Sequence, residues 1–125
     1  MPHISRVEWG GVNVVDEVSP EEVRKELQNG GLQVVDIRSP HQFAHGHIPG
    51  AINIPFPQLP QRVAEHEWGD DIVVVCPIGQ SSIQAARLLE SFEQIEANAR
   101  VASMSGGYDA WEYELDHETS DDAPF

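Results

Sequence analysis

The chain holds one cysteine, Cys76, in the segment Cys76-Pro77-Ile78-Gly79-Gln80-Ser81-Ser82. An apolar run, Ile72-Val73-Val74-Val75, precedes it, and a helical pattern follows. A short connection between a buried strand and a helix start can wrap so that successive backbone N–H groups converge above the cysteine sulfur. Gly79 permits a backbone conformation closed to residues with a Cβ. The helix adds its unpaired N–H groups and the positive end of its dipole. Such a nest binds anions, and the first anion it stabilises is the thiolate itself. The sulfur is then a nucleophile at neutral pH without a histidine base. The competing reading is a small buried hydrophobe, the commonest role of a lone cysteine. The residues alone leave both open.

One cysteine excludes an internal disulfide, C-x-x-C redox chemistry and a cysteine-rich zinc site. His41, His45 and His47 are close in sequence, but Gly46 and Pro49 break any regular helical face there. No metal and no cofactor is expected.

The elements that must hold this loop read as alternating strands and helices. Residues 12–15 form a β-branched run that suits an edge strand. Ser19-Pro20-Glu21-Glu22 has capping-box spacing with proline in the first turn, and opens a helix that stops at Asn29-Gly30-Gly31. Residues 32–37 read as a buried strand, 40–45 as a short helix ended by Gly46, and 51–54 as another strand. Residues 59–66 suit a helix that tolerates Pro60 in its first turn. The run 72–75 is apolar without alternation, which predicts burial on both faces of a parallel sheet. A helix over 82–94, a strand over 101–104, a turn at Gly106-Gly107 and a helix over 108–113 complete the series. Residues 116–125 are acidic and expected to fray. The pattern predicts an α/β domain with a mainly parallel sheet covered on both faces. Ligands of such sheets sit at the carboxyl ends of the strands, where Cys76 stands.

With 125 residues and a hydrophobic share of 40%, the chain suits one folded domain spanning 1–125. No apolar stretch approaches the roughly 20 residues of a membrane span. Residues 1–10 lack the apolar core of a secretory signal, so a cytoplasmic location is expected. Seven basic residues face 21 acidic ones, for a formal net charge of -14, and only Lys25 is a lysine. A field of that sign repels phosphate backbones and anionic membranes, which argues against nucleic-acid and membrane partners. It suits either an ordinary acidic surface or a high-salt cytosol, and the scarcity of lysine leans toward the second.

Three segments together resemble the rhodanese-like sulfurtransferase family. Val34-Val35-Asp36-Ile37-Arg38-Ser39-Pro40 with Phe43, then Gly46-His47-Ile48-Pro49-Gly50-Ala51-Ile52-Asn53-Ile54-Pro55, is similar to its D-x-R…GHIPGAxNIP segment. The Cys76 segment is similar to its active-site loop, and Ser105-Gly106-Gly107-Tyr108-Asp109-Ala110-Trp111 to its closing GG-x-x-AW motif. The resemblance covers residues 19–115. It implies a rhodanese-like core: five mainly parallel strands with helices on both faces. It also implies that Cys76 takes the outer sulfur of a donor (thiosulfate, polysulfide or a protein persulfide) and holds it as a persulfide. A small thiophilic acceptor or a sulfur-relay protein then removes it. The loop from Pro77 to Ser82 would bind the anionic sulfur through its amides, with Ser81 and Ser82 adding hydroxyls and capping the helix. Asp36 and Arg38 would support the loop by hydrogen bonds rather than by chemistry, and His47 would fix its own loop. Tyr108 and Trp111 would pack against the sheet; Trp9 and Trp68 lie outside the three segments and are expected to be partly exposed.

This chain departs from the family pattern in its loop. Ser81 stands where many members carry arginine, Pro77 and Ile78 where others place basic side chains, and Gln42 where glutamate is usual. A dianionic donor would meet no positive side chain there, so free thiosulfate is expected to be a poor donor. A catalytically idle module that binds a partner protein is the alternative. A phosphatase or arsenate reductase on the same fold would need a longer loop and an arginine clamp. The charge reading is tested by melting the protein at low and at molar salt. Greater stability at high salt is expected, and equal or better stability at low salt would contradict a high-salt origin.

Overall fold

The run ending at Val75 occupies the middle of a five-stranded sheet whose two faces are both covered, as its unbroken apolarity requires. The computed structural model describes residues 15–117. Its strands are β1 (Asp16–Val18), β2 (Gln33–Asp36), β3 (Ile52–Asn53), β4 (Asp71–Val75) and β5 (Arg100–Met104). They lie in the order β1-β5-β4-β2-β3, and every neighbouring pair is parallel. The edge strand expected at residues 12–15 falls outside the described residues except for Val15. The edge strand that is seen begins one residue later and pairs with β5.

Strand side chains alternate between the two faces. Ile72 and Val74 of β4 join Val35, Leu59, Ala85, Ala86 and Leu89 in one apolar cluster, which also takes in Cys76. Val73 and Val75 point the other way, to Val23, Ile48, Ala102, Met104 and Trp111. Helices therefore cover both faces: α1 (Pro20–Asn29) supplies Val23 to one, α4 (Ser81–Glu90) its alanines and Leu89 to the other. The start of α1 follows its capping sequence, with the Glu22 N–H donating to Ser19 Oγ at 3.1 Å. Ser39 caps α2 (Pro40–His45) in the same way, accepting from the Gln42 N–H.

Three helices are shorter than their patterns predict, each where a carbonyl or amide is used elsewhere. The segment expected to be helical over 59–66 is α3 (Leu59–Arg62) followed by a 3-10 turn, Val63–Glu65. There Trp68 Nε1 donates to the Val63 carbonyl at 2.8 Å, which caps the turn where the helix gives way. Helix α4 ends at Glu90, not 94: Ser91 Oγ bonds the Leu88 carbonyl, and the chain tightens into three-residue turns up to the buried Ile95. The helix expected over 108–113 is only a 3-10 turn, Gly107–Ala110. Residues 116–125 are expected to fray, but Asp116 exchanges two backbone hydrogen bonds with His47. Residues 118–125 lie outside the description.

The closing 3-10 turn explains why a glycine pair follows β5. Tyr108 N–H donates to the Cys76 carbonyl at 2.9 Å and Asp109 N–H to the Pro77 carbonyl at 3.0 Å. The turn is thus joined backbone to backbone with the loop after β4. At Gly107 (φ +59°) a Cβ would collide with the Cys76 carbonyl oxygen and lie 2.6 Å from the Pro77 carbonyl carbon. Left-handed backbone strain adds to that collision. Gly107→Ala is therefore expected to cost about 3 kcal/mol or more, measured by urea denaturation. An unchanged midpoint would show that the two loops are not locked together.

Candidate active site

Cys76 follows directly on β4, and its sulfur is the point on which the loop converges. Gly79 N–H donates to Sγ at 3.1 Å and Ser82 N–H at 3.2 Å. The thiol itself donates to Ser82 Oγ at 3.2 Å. Gly79 makes the wrap possible with φ +89°, and its missing Cβ leaves room for Gly106, whose nitrogen would lie 2.7 Å from such an atom. Ser82 stands in the first turn of α4, so one of the N–H groups a helix leaves unpaired is turned onto the sulfur. Two main-chain donors and one hydroxyl thus surround an atom able to carry negative charge.

The sulfur is deep. Cys76 is 1% exposed, while Pro77, Ile78, Gln80 and Ser81 are exposed around it and carry no charge. Ile78, at 53%, is an exposed large apolar side chain on the loop. Neither loop serine caps the helix as expected: Gln80 is at the N-cap with no side-chain bond. Ser82 is turned inward to the sulfur, and Ser81 faces solvent. Of the predicted loop residues, Gly79 and Ser82 touch the sulfur, and Pro77, Ile78, Gln80 and Ser81 form the rim.

Ser103 of β5 was not singled out by sequence. It is fully buried, and its Oγ lies 2.7 Å from Ser82 Oγ. The signal for it was a hydroxyl inside an apolar strand, since a buried polar group needs a partner.

Asp36 and Arg38 lie beside the loop and act on its architecture. The carboxylate of Asp36 is wholly buried and takes Nε and Nη2 of Arg38, the latter at 2.9 Å. Arg38 Nη2 also reaches the Gly46 carbonyl at 2.7 Å. The guanidinium stacks 3.7 Å above the Tyr108 ring. Tyr108 is more than sheet packing: its hydroxyl donates to Asp36 Oδ2 at 2.8 Å and accepts from the Ile48 N–H at 3.0 Å. The same residue holds the Cys76 carbonyl through its amide, so it ties the end of β2 to the cysteine loop. Burial, and then the neighbouring Asp36 charge, push the Tyr108 phenol well above its usual range and keep it a donor. His47 does fix its loop, stacking on Phe43 with Nδ1 2.7 Å from the Phe43 carbonyl. Trp111 is buried and Trp68 half-buried, while Trp9 lies outside the described residues.

Fold and site together define a parallel α/β domain that presents a cysteine at the end of a central strand, in a loop whose amides converge on its sulfur. The family model for the rhodanese-like domain matches residues 19–114, and the chain belongs to that family. Thiosulfate sulfurtransferase GlpE of Pseudomonas aeruginosa is 39% identical over 94 residues, covering 75% of this chain and 81% of the relative. GlpE of Stutzerimonas stutzeri is 34% identical over 94 residues, covering 75% and 83%. Among solved structures, a human single-domain sulfurtransferase superposes with a TM-score of 0.65 at 26% identity, covering 78% of this chain and 96% of that one. A rhodanese-related protein of Thermoplasma volcanium, at 21% identity and a TM-score of 0.69, shares the fold over 81% of this chain and 97% of its own. The chain is an enzyme of the rhodanese-type sulfurtransferase class. Among the described residues no helix is long and apolar enough to cross a membrane.

Replacing Tyr108 by Phe removes a donor from Asp36 and an acceptor from the Ile48 N–H, both buried. The expected loss is about 1–3 kcal/mol near neutral pH. The phenol keeps its proton in the fold to a higher pH than in the unfolded chain. Wild-type stability should therefore fall as pH rises above about 10, the ordinary tyrosine value. Tyr108→Phe should flatten that slope, and equal alkaline slopes in urea titrations would contradict the assignment.

Proposed function

We propose that Cys76 carries sulfur as a persulfide between a sulfane-sulfur donor and a thiophilic acceptor. The carrying observation is the pair of amides, from Gly79 and Ser82, aimed at the cysteine sulfur. They favour the thiolate, which attacks the outer sulfur of the donor. A new S–S bond forms on Cys76 while the donor's own bond to that sulfur breaks; its electron pair leaves with sulfite from thiosulfate, or with the shortened chain from a polysulfide. An acceptor such as cyanide or a thiolate then attacks the outer sulfur of the persulfide and returns Cys76 as thiolate. No electrons are gained or lost overall. The persulfide's charge would fall to the exposed end of the loop, at the amides of Ile78, Gln80 and Ser81.

The donor we favour is a polysulfide or a protein persulfide rather than free thiosulfate. The rim residues Pro77, Ile78, Gln80 and Ser81 offer no cation to a dianion, on a chain of net charge -14. The depth of Cys76 suits a slender terminal sulfur approaching end-on. The GlpE relatives are named for thiosulfate, which makes the comparison of donors informative. A reactive thiol of this kind suits the reducing cytoplasm, and the region 1–125 would work as one domain.

Mass spectrometry of the intact protein tests both points. Polysulfide should add about 32 Da, one sulfur atom, to the wild type and nothing to Cys76→Ser. Steady-state assays should show lower kcat/KM for thiosulfate than for polysulfide. An adduct that survives in Cys76→Ser would overturn the carrier assignment, and efficient turnover at low thiosulfate would overturn the donor preference.

A further inference from the structure

Three polar atoms form a chain inside the apolar interior: Cys76 Sγ, Ser82 Oγ at 3.2 Å, and Ser103 Oγ at 2.7 Å from Ser82. Cys76, Ser82 and Ser103 are all buried, and Ser103 lies opposite Val74 where β5 pairs with β4. An apolar side chain would satisfy that position without a desolvation cost, so the hydroxyl needs a reason. We propose that Ser103 is a positioning residue: it donates to Ser82 Oγ and so turns the Ser82 hydroxyl proton onto the sulfur whenever the sulfur is charged.

Proton counting supports this. A hydroxyl has one proton and two acceptor sites. With the neutral thiol, S–H donates to Ser82, whose proton then goes to Ser103. Once the thiol has lost its proton, the sulfur only accepts. Ser82 must then donate to it, and Ser103 fills the vacated acceptor site on Ser82. The chain reverses direction as a unit, and each bond polarises the next toward the anion. Without Ser103, Ser82 still reaches the sulfur but loses the donor behind it. The effect is a fraction of a charge-assisted bond, not the whole of it.

The proposal rests on Cys76 being the reacting thiol, but its test needs no sulfur donor. The second-order rate of Cys76 alkylation by iodoacetamide is measured between about pH 6 and 9 for the wild type, Ser103→Ala, Ser82→Ala and the double variant. Melting curves are recorded alongside. Ser103→Ala should move the profile to higher pH and slow alkylation near neutral pH about two- to fourfold. Ser82→Ala should slow it about tenfold. Adding Ser103→Ala to Ser82→Ala should change nothing more, because Ser103 acts only through Ser82. An unmoved profile in Ser103→Ala, or an equal loss in both backgrounds, would overturn the proposal. If Ser103→Ala does not fold, Ser103→Thr and Ser103→Val, alike in volume, supply the comparison. The threonine should keep the profile and the valine shift it, and identical profiles would refute the relay. Failure of persulfide formation with the relay intact would instead count against the transfer reaction alone.

Discussion

A buried sulfur that must take on negative charge needs hydrogen-bond donors that cannot turn away, and the main chain supplies them. Gly79 and Ser82 present their N–H groups to Cys76 because the loop after β4 is closed into a ring and the next helix begins at once. Fixed amides do not reorganise when the charge appears, which makes them effective around a sulfur that is only 1% exposed. A cationic side chain would do similar work in the open, but the rim holds none. The rest of the site can be understood as the means of keeping that ring closed.

Two sets of contacts do so. From one side, the turn after β5 lays its backbone against the loop, so closely that neither Gly79 nor Gly107 has room for a side chain. From the other, Asp36 and Arg38 fix the end of β2 and grip Tyr108, whose amide holds the Cys76 carbonyl. The three sequence segments that mark the family thus meet around one loop. Their spacing along the chain reflects a parallel sheet, in which the strand ends gather on one edge.

Much of this was legible in the residues. The apolar run at β4 predicted a strand buried on both faces, Ser19 and Ser39 stand where helices begin, and Gly79 signalled a backbone turn beside the cysteine. What was not legible turned on tertiary hydrogen bonds. The segment after Gly106 has helical periodicity, but Tyr108 and Asp109 give their amides to the cysteine loop. Helix patterns at 59–66 and 82–94 overran where Trp68 and Ser91 bond carbonyls in ways that no local pattern reveals. Ser82 looked like a cap and proved to face inward, since its neighbour Ser103 arrives from a strand far along the chain. Propensity describes what a segment prefers alone, and these segments are decided by what they touch.

If the main chain steadies the anion, the Gly79 and Ser82 amides must feel the charge of the sulfur species. Their proton and nitrogen resonances, followed by NMR as Cys76 is converted to the persulfide, report this directly. We predict that these two, with the rim amides of Ile78, Gln80 and Ser81, shift most in the chain and return when an acceptor removes the sulfur. Loop amides that stay in place while Cys76 gains and loses sulfur would contradict it, because the main chain would then have no part in steadying the anion.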